Sequence, residues 1–272
     1  MKTLIIDASK CNGCYNCQIS CKDEHVGNDW SPYAKPQPDT GQFWMKLSET
    51  VRGTVPKVKI SYVPEICRHC DNAPCIQACQ EEAIYKREDG IVIVDPEKCC
   101  GSRNCVDACP YGAIYFNWDL NIAQKCTMCA HLLDKGWKEP RCVELCPTGA
   151  LTFGEEGELK DEIQKAEQRS IDVNTKPRIH YLNLPKRFIA GAVFDPEEDE
   201  CIQDAAVTLI NSETRETITV ETDHFGDFWL RKLNVGEYSL SIRKEGYLPK
   251  EIGSINTEMD VNLGDIEMSQ VS

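Results

Sequence analysis

The sequence lacks any apolar run of membrane-spanning length: its stretches, such as Ile91 to Val94, are strand-sized, against the roughly 18 apolar residues a bilayer helix needs. Aromatic residues are sparse at 8%, and basic residues are too few, 30 against 44 acidic ones, giving a formal charge of -14. No basic patch occurs in either half, so a partner held through phosphate neutralisation, such as nucleic acid, is not expected. No secretory leader is expected either. Met1-Lys-Thr-Leu-Ile-Ile-Asp7 reaches an acidic residue too soon for a signal peptide, and no twin-arginine pair precedes it, so a cytoplasmic location is expected. What remains, 41% hydrophobic and 27% charged residues over 272 positions, predicts a soluble globular protein of about two domains.

Cysteine is the one abundance. Of 17 cysteines, 16 lie between Cys11 and Cys146, and only Cys201 lies outside. Charge divides the chain too: residues 186–272 hold 8 Lys plus Arg and 18 Asp plus Glu, a net of -10 of the total -14. The acidity therefore describes the C-terminal part and says little about the cysteine-rich one.

The first cysteine group, Cys11-Asn-Gly-Cys14-Tyr-Asn-Cys17-Gln-Ile-Ser-Cys21, is the C-x2-C-x2-C-x3-C run that bacterial ferredoxins use for a [4Fe-4S] cluster. Three thiolates in a tight loop wrap one face of the cubane, and the fourth, opening a short helix, serves a different cluster. Gly13 suits such a loop because it permits positive φ and close approach. The second group, Cys67-Arg-His-Cys70-Asp-Asn-Ala-Pro-Cys75-Ile-Gln-Ala-Cys79, follows the same scheme with a loop two residues longer. In the fourth group, Cys126-Thr-Met-Cys129 is separated by an insertion from Cys142-Val-Glu-Leu-Cys146-Pro147, and the terminal Cys-Pro again fits the ferredoxin pattern. The third group is damaged. Cys99, Cys105 and Cys109 keep their places, but Ser102 stands where the second cysteine belongs, and Cys100 is extra, usable only if the loop were redrawn around Gly101.

Strands are expected between the groups at Leu4 to Ile6, Ala83 to Tyr85, Ile91 to Val94, Ala113 to Phe116 and Ala150 to Phe153. Cys109-Pro-Tyr-Gly-Ala-Ile and Cys146-Pro-Thr-Gly-Ala-Leu echo one another, which predicts duplicated ferredoxin-like modules over residues 1–182. This region, down to the Cys21-Lys-Asp-Glu-His25 ending of the first group, resembles the iron–sulfur subunits of the dimethyl sulfoxide reductase family of molybdopterin enzymes. The resemblance implies that the first group pairs with the fourth and the second with the third. One cluster would then take Cys11, Cys14, Cys17 and Cys146, a second Cys126, Cys129, Cys142 and Cys21, and a third Cys67, Cys70, Cys75 and Cys109. The remaining set, Cys79, Cys99, Ser102 and Cys105, includes a hydroxyl far less acidic than a thiol, so three clusters are expected, with the fourth site empty or holding three irons.

Structural zinc on paired C-x2-C groups is the rival reading of the cysteines, weakened because zinc sites lack the quartet and the Cys-Pro ending. A disulfide framework suits short secreted chains. His25, His69 and His131 adjoin cysteine groups and are expected to hydrogen-bond near a cluster or face a partner, not to ligate. Residues 27–63, with Trp30, Tyr33, Phe43 and Trp44, form a long insertion that suits either a docking surface or a cover over the clusters. Residues 155–182 form a connecting segment, including a solvated helix over Glu158 to Arg169. Cys201 is expected to be a small buried hydrophobe.

From 186 to 272 the chain reads as short strands, at Phe188 to Phe194, Ala206 to Asn211, Glu216 to Glu221, Asp227 to Leu230, Tyr238 to Lys244 and Asp260 to Ile266, separated by turn signals such as Asp223-His-Phe-Gly226. This predicts an all-β sandwich or barrel of about seven strands, making the whole chain α+β. Gly191-Ala-Val193, Thr222-Asp-His-Phe-Gly226-Asp-Phe228 and Gly236-Glu-Tyr238 resemble the transthyretin-like, carboxypeptidase regulatory domain. No cluster of His, Cys or a nucleophile accompanies them, and Asp195-Pro-Glu-Glu-Asp-Glu200 has no recognised cation-loop spacing, so a solvated loop is expected there.

No acid/base pair or nucleophile is in view, so no catalytic residue is expected on this chain. The resemblance implies an electron-transfer subunit in a heterodimer with a large subunit carrying molybdenum bound by two molybdopterin guanine dinucleotides. The absence of a membrane-binding extension and the appended β domain resemble the small subunits of transhydroxylases that act on polyhydroxylated benzenes. The alternatives are a general electron-transfer subunit of a respiratory molybdenum oxidoreductase and, from another class, a zinc-stabilised scaffold.

Overall fold

A computed structural model describes residues 1–167 and 174–271. The chain forms two compact units, Met1–Glu49 with Tyr62–Leu184, and Thr50–Ser61 with Pro185–Ser272. The first unit runs through β1 (Lys2–Asp7), α1 (Asn16–His25), β2 (Met45–Thr54), β3 (Lys57–Ile66), α2 (Pro74–Gln77), β4 (Ile84–Lys86), β5 (Val92–Val94), α3 (Asn104–Ala108), β6 (Tyr115–Asn117), β7 (Ile122–Gln124), α4 (Ala130–Leu133), α5 (Arg141–Glu144), β8 (Leu151–Glu155), α6 (Lys160–Gln164) and β9 (Ile179–Leu182). The tip of the β2–β3 hairpin belongs to the second unit.

Strand β1 is central because Thr3 to Ile6 are all buried, which only a strand covered on both faces tolerates. It pairs antiparallel with β8, Ile6 opposite Leu151, and parallel with β9, Leu4 opposite Ile179. The β4–β5 and β6–β7 hairpins stand apart from this sheet, and a smaller core of Ile84, Val92, Val94, Ile114 and Ala123 gathers around Cys105. Helix α1 has no aliphatic stripe. Its buried residues are Cys17, Ser20, Cys21 and His25, spaced three and four apart, so the face it turns inward is a face of candidate ligands. Gly13, just before it, has φ +78°, and a Cβ there would lie 2.5 Å from the Tyr62 ring, so the loop needs glycine on both counts.

The second unit contains β10 (Arg187–Asp195), β11 (Glu200–Cys201), β12 (Ala206–Asn211), β13 (Thr217–Glu221), β14 (Asp227–Leu233), β15 (Glu237–Arg243), β16 (Lys250–Asn256) and β17 (Val261–Glu267). One sheet has the order β11–β10–β14 with β17 parallel to β10, and the other the order β13–β12–β15–β16. Alternation builds the core between them: Val207 and Leu209 on β12, and Leu240 and Ile242 on β15, point inward with Phe228 and Leu230 of β14. Burying each such side chain contributes about 1.5–3 kcal/mol.

Within residues 27–63 lie β2 and part of β3, and Arg52 near the hairpin tip donates to Asp260 of the same unit at 2.8 Å and 2.7 Å. Two features differ from expectation. Cys201 is exposed, not buried, because β11 is a two-residue edge strand with both side chains outward. The connecting helix is confined to α6, while Gln168 and Arg169 lie outside the described residues. The acidic loop after β10 is organised from within. Asp195 is buried and accepts from the backbone N–H groups of Glu197 and Glu198, the Tyr247 hydroxyl and the Gln270 amide, which leaves its carboxylate satisfied without a cation.

Candidate metal centres

The fold brings fifteen of the sixteen N-terminal cysteines together as four neighbouring sets and leaves Cys100 outside them. In the first, Cys11, Cys14 and Cys17 come from the loop into α1, and Cys146 follows α5. Burial first, and then proximity to Cys11, Cys146 and Cys14, push the Cys17 thiol up to about 12. Cys146 runs the other way. Burial opposes its ionisation, but the Thr148 hydroxyl at 3.7 Å and the backbone N–H groups of Ala150, Thr148 and Leu151 bring it below an ordinary thiol. Cys14 is exposed, so this set reaches the surface.

The second set, Cys21, Cys126, Cys129 and Cys142, is buried throughout and lines a small cavity. Burial raises all four thiols, that of Cys21 to about 11, and Cys142 is raised further by Cys129, Cys21 and Cys126. Met128 and Cys129 adopt left-handed backbone, and Met128 N–H donates to Cys126 Sγ at 3.2 Å. The third set, Cys67, Cys70, Cys75 and Cys109, lines a second small cavity. Burial lifts Cys70 to about 12, with Cys67, Cys75 and Cys109 adding to it.

The fourth set is incomplete. Burial raises Cys105 to about 11, and Cys99 and Cys79 raise it further. Ser102 and Cys100 are both exposed. The sets also form a sequence in space. Cys17 acts on Cys142, Cys67 on Cys126, and Cys75 on Cys105, which links first to second, second to third and third to fourth.

Buried polar atoms test what these cavities suit. Trp44 Nε1 and Thr127 Oγ1 have no protein partner, and their residues line the second cavity; Arg68 Nη1 and His69 Nε2 are in the same position at the third. Each such orphan costs roughly 1–3 kcal/mol if left unmet, so a group rich in acceptor sulfur fits both cavities. Among the described residues no three His, Cys, Asp or Glu side chains close to the spacing of a single ion, where Zn–S bonds are about 2.3 Å.

The histidines hold their places by hydrogen bonds. Val92 N–H donates to His69 Nδ1 at 3.0 Å, so the ring proton sits on Nε2, the orphan atom, which is a donor at the third cavity. His25 is the reverse: its Nδ1 bonds the Cys21 carbonyl at 2.9 Å, leaving a bare Nε2. His131 Nε2 meets Glu24 at 3.0 Å, and its ring stacks on Trp30 at 4.3 Å. Trp44, a docking or covering residue by sequence, is 3% exposed and lines the second cavity. Two residues that sequence reasoning missed are buried cations, Arg68, packed 4.3 Å from the Tyr181 ring centroid, and Lys125. Nothing in a one-dimensional pattern marks a single basic residue as buried.

Residues 58–156 match the family model for a 4Fe-4S dicluster domain, and residues 189–269 that for a carboxypeptidase regulatory-like domain. The pyrogallol hydroxytransferase small subunit of Pelobacter acidigallici is 38% identical over 275 residues, covering 97% of this chain and 98% of that one. The chain belongs to the iron–sulfur subunits of the dimethyl sulfoxide reductase family. Other members of this family include the putative dimethyl sulfoxide reductase iron–sulfur subunit of Halobacterium salinarum, 32% identical over 66% of this chain and 78% of its own. A sulfite dehydrogenase subunit of Allochromatium vinosum is 34% identical over 72% of this chain and 87% of its own. As a member of the family the chain is an iron–sulfur, electron-transfer subunit of an oxidoreductase complex without an active site of its own. Among the described residues no helix is long and apolar enough to cross a membrane.

Proposed function

We propose that this subunit carries three [4Fe-4S] clusters and passes single electrons to or from a molybdenum centre on a large partner. The first cluster is held by Cys11, Cys14, Cys17 and Cys146, the second by Cys21, Cys126, Cys129 and Cys142, and the third by Cys67, Cys70, Cys75 and Cys109. The mutual influence of the thiols within each set, and the orphan polar atoms around the second and third, support these assignments. A four-thiolate cubane supplies a one-electron couple that needs little rearrangement. The chain's part is to space the thiols, exclude water from the second and third sites, and fix the donors around them. At the fourth site Cys79, Cys99 and Cys105 lack a fourth thiolate, and no cubane forms.

The partner holds molybdenum through two molybdopterin guanine dinucleotides and performs the chemistry, the transfer of hydroxyl groups between polyhydroxybenzenes in a pyrogallol–phloroglucinol transhydroxylase, in the cytoplasm. The observation that carries this reading is the 38% identity to the pyrogallol hydroxytransferase small subunit along nearly the full length of both chains, the appended β domain included. Because that reaction has no net electron flow, the clusters serve to reduce or reset the molybdenum. The test is turnover by the co-purified complex, followed by product analysis and by the electron paramagnetic resonance of the clusters. Conversion of pyrogallol to phloroglucinol with a cluster reduction level that stays constant is expected. Turnover that requires continuous reduction of the clusters by a quinol or ferredoxin would instead assign a role in a respiratory reductase.

A further inference from the structure

Val92 on β5 divides its peptide between two buried side chains. Its N–H fixes the His69 tautomer at 3.0 Å, and its carbonyl accepts from Lys125 Nζ. The same ammonium donates to the carbonyl of Cys126 at 3.0 Å. Lys125 is 2% exposed, and among the described residues no carboxylate lies within ion-pair distance of it. A buried ammonium is costly unless negative charge answers it.

The two carbonyls that hold Lys125 belong to opposite sites. Cys126 lines the second cavity and Val92 the third. We propose that Lys125 is the counter-charge shared by the second and third clusters, raising the reduction potential of both. The proposal rests on those two sites holding clusters. Each four-thiolate cluster is anionic and gains one more negative charge on reduction, so a fixed cation in a low-dielectric interior stabilises the reduced form of both neighbours.

The experiment is a potentiometric titration of the intact complex, read by electron paramagnetic resonance, for wild type, Lys125→Gln and Lys125→Arg, with iron counted in each. Glutamine keeps a donor for the two carbonyls and removes the charge. At fixed ambient potential the reduced-to-oxidised ratio of the second and third clusters should fall at least tenfold in Lys125→Gln, a shift of about 59 mV for one electron, while the first cluster, held by Cys11, Cys14, Cys17 and Cys146, moves less. Lys125→Arg should restore both ratios to within about threefold of wild type. Full iron with unmoved potentials, or movement of one cluster alone, overturns the proposal. Iron loss in Lys125→Gln that Lys125→Arg rescues supports it, and iron loss in both overturns it in favour of packing. A wild-type complex without iron would instead remove the cluster reading on which the proposal stands.

Discussion

The two units solve the same problem, a stable interior, with different materials. In the β unit the core is Val207, Leu209, Phe228, Leu230, Leu240 and Ile242, an apolar set that needs nothing beyond itself. In the cysteine unit the core includes Cys17, Cys21, Cys67, Cys126 and Cys142 beside Leu4, Ile6 and Trp44, so candidate ligands occupy positions that aliphatic residues fill elsewhere. Its helices are short, and the one of ten residues buries cysteines, Ser20 and His25. The lesson is that one unit owes its stability to hydrophobic burial and the other to bonds with a bound group.

Removing that group breaks the comparison most sharply. Anaerobic chelation of the complex should abolish hydrogen-exchange protection over residues 1–49 and 62–167 while protection in β10 to β17 persists; equal losses in both would refute the contrast. Next in size is Phe228→Ala, where the side chain is 1% exposed and truncation costs about 3–5 kcal/mol. Denaturation of the variant should show that loss in the β unit, with iron per complex equal to wild type.

Ser102→Cys acts on the incomplete fourth set. Iron should rise by about four per complex, with little change in the melting of the β unit; no added iron would mean that the loop, and not the missing thiolate, keeps a cubane out. The smallest effect concerns a protein-only clasp in the cysteine unit. Hydrogen bonds from Arg87 and the Tyr33 hydroxyl hold Asp134 down to about 2 from an ordinary 3.8. A depressed carboxyl stabilises the fold above pH 3.8, and that contribution is lost as pH falls from 3.8 to about 2. Its side chain is 39% exposed, so screening keeps the value under about 1 kcal/mol, and Asp134→Asn should flatten the acid limb of a stability–pH curve by no more than that.

Much of this contrast is legible in the residues. The quartet spacing of the cysteines is local and chemically specific, and Val207, Leu209, Leu240 and Ile242 alternate as a half-buried strand must. The β2–β3 hairpin escapes such reading because Met45 to Thr54 mixes Lys46, Glu49 and Arg52 into a strand that is mostly not buried. Cys201 misleads because composition favours a buried cysteine, while its place on a two-residue edge strand decides otherwise. Lys125 and Arg68 read as surface charge until tertiary structure folds backbone carbonyls and tyrosine rings around them. The proton positions of His25 and His69 depend on partners 4 and 23 residues away.

The most direct test is the iron and acid-labile sulfide content of the purified complex, counted for this subunit. About twelve irons with matching sulfide are predicted, from three cubanes on twelve cysteines. Zinc in place of iron, or iron without labile sulfide, would contradict the account at its centre.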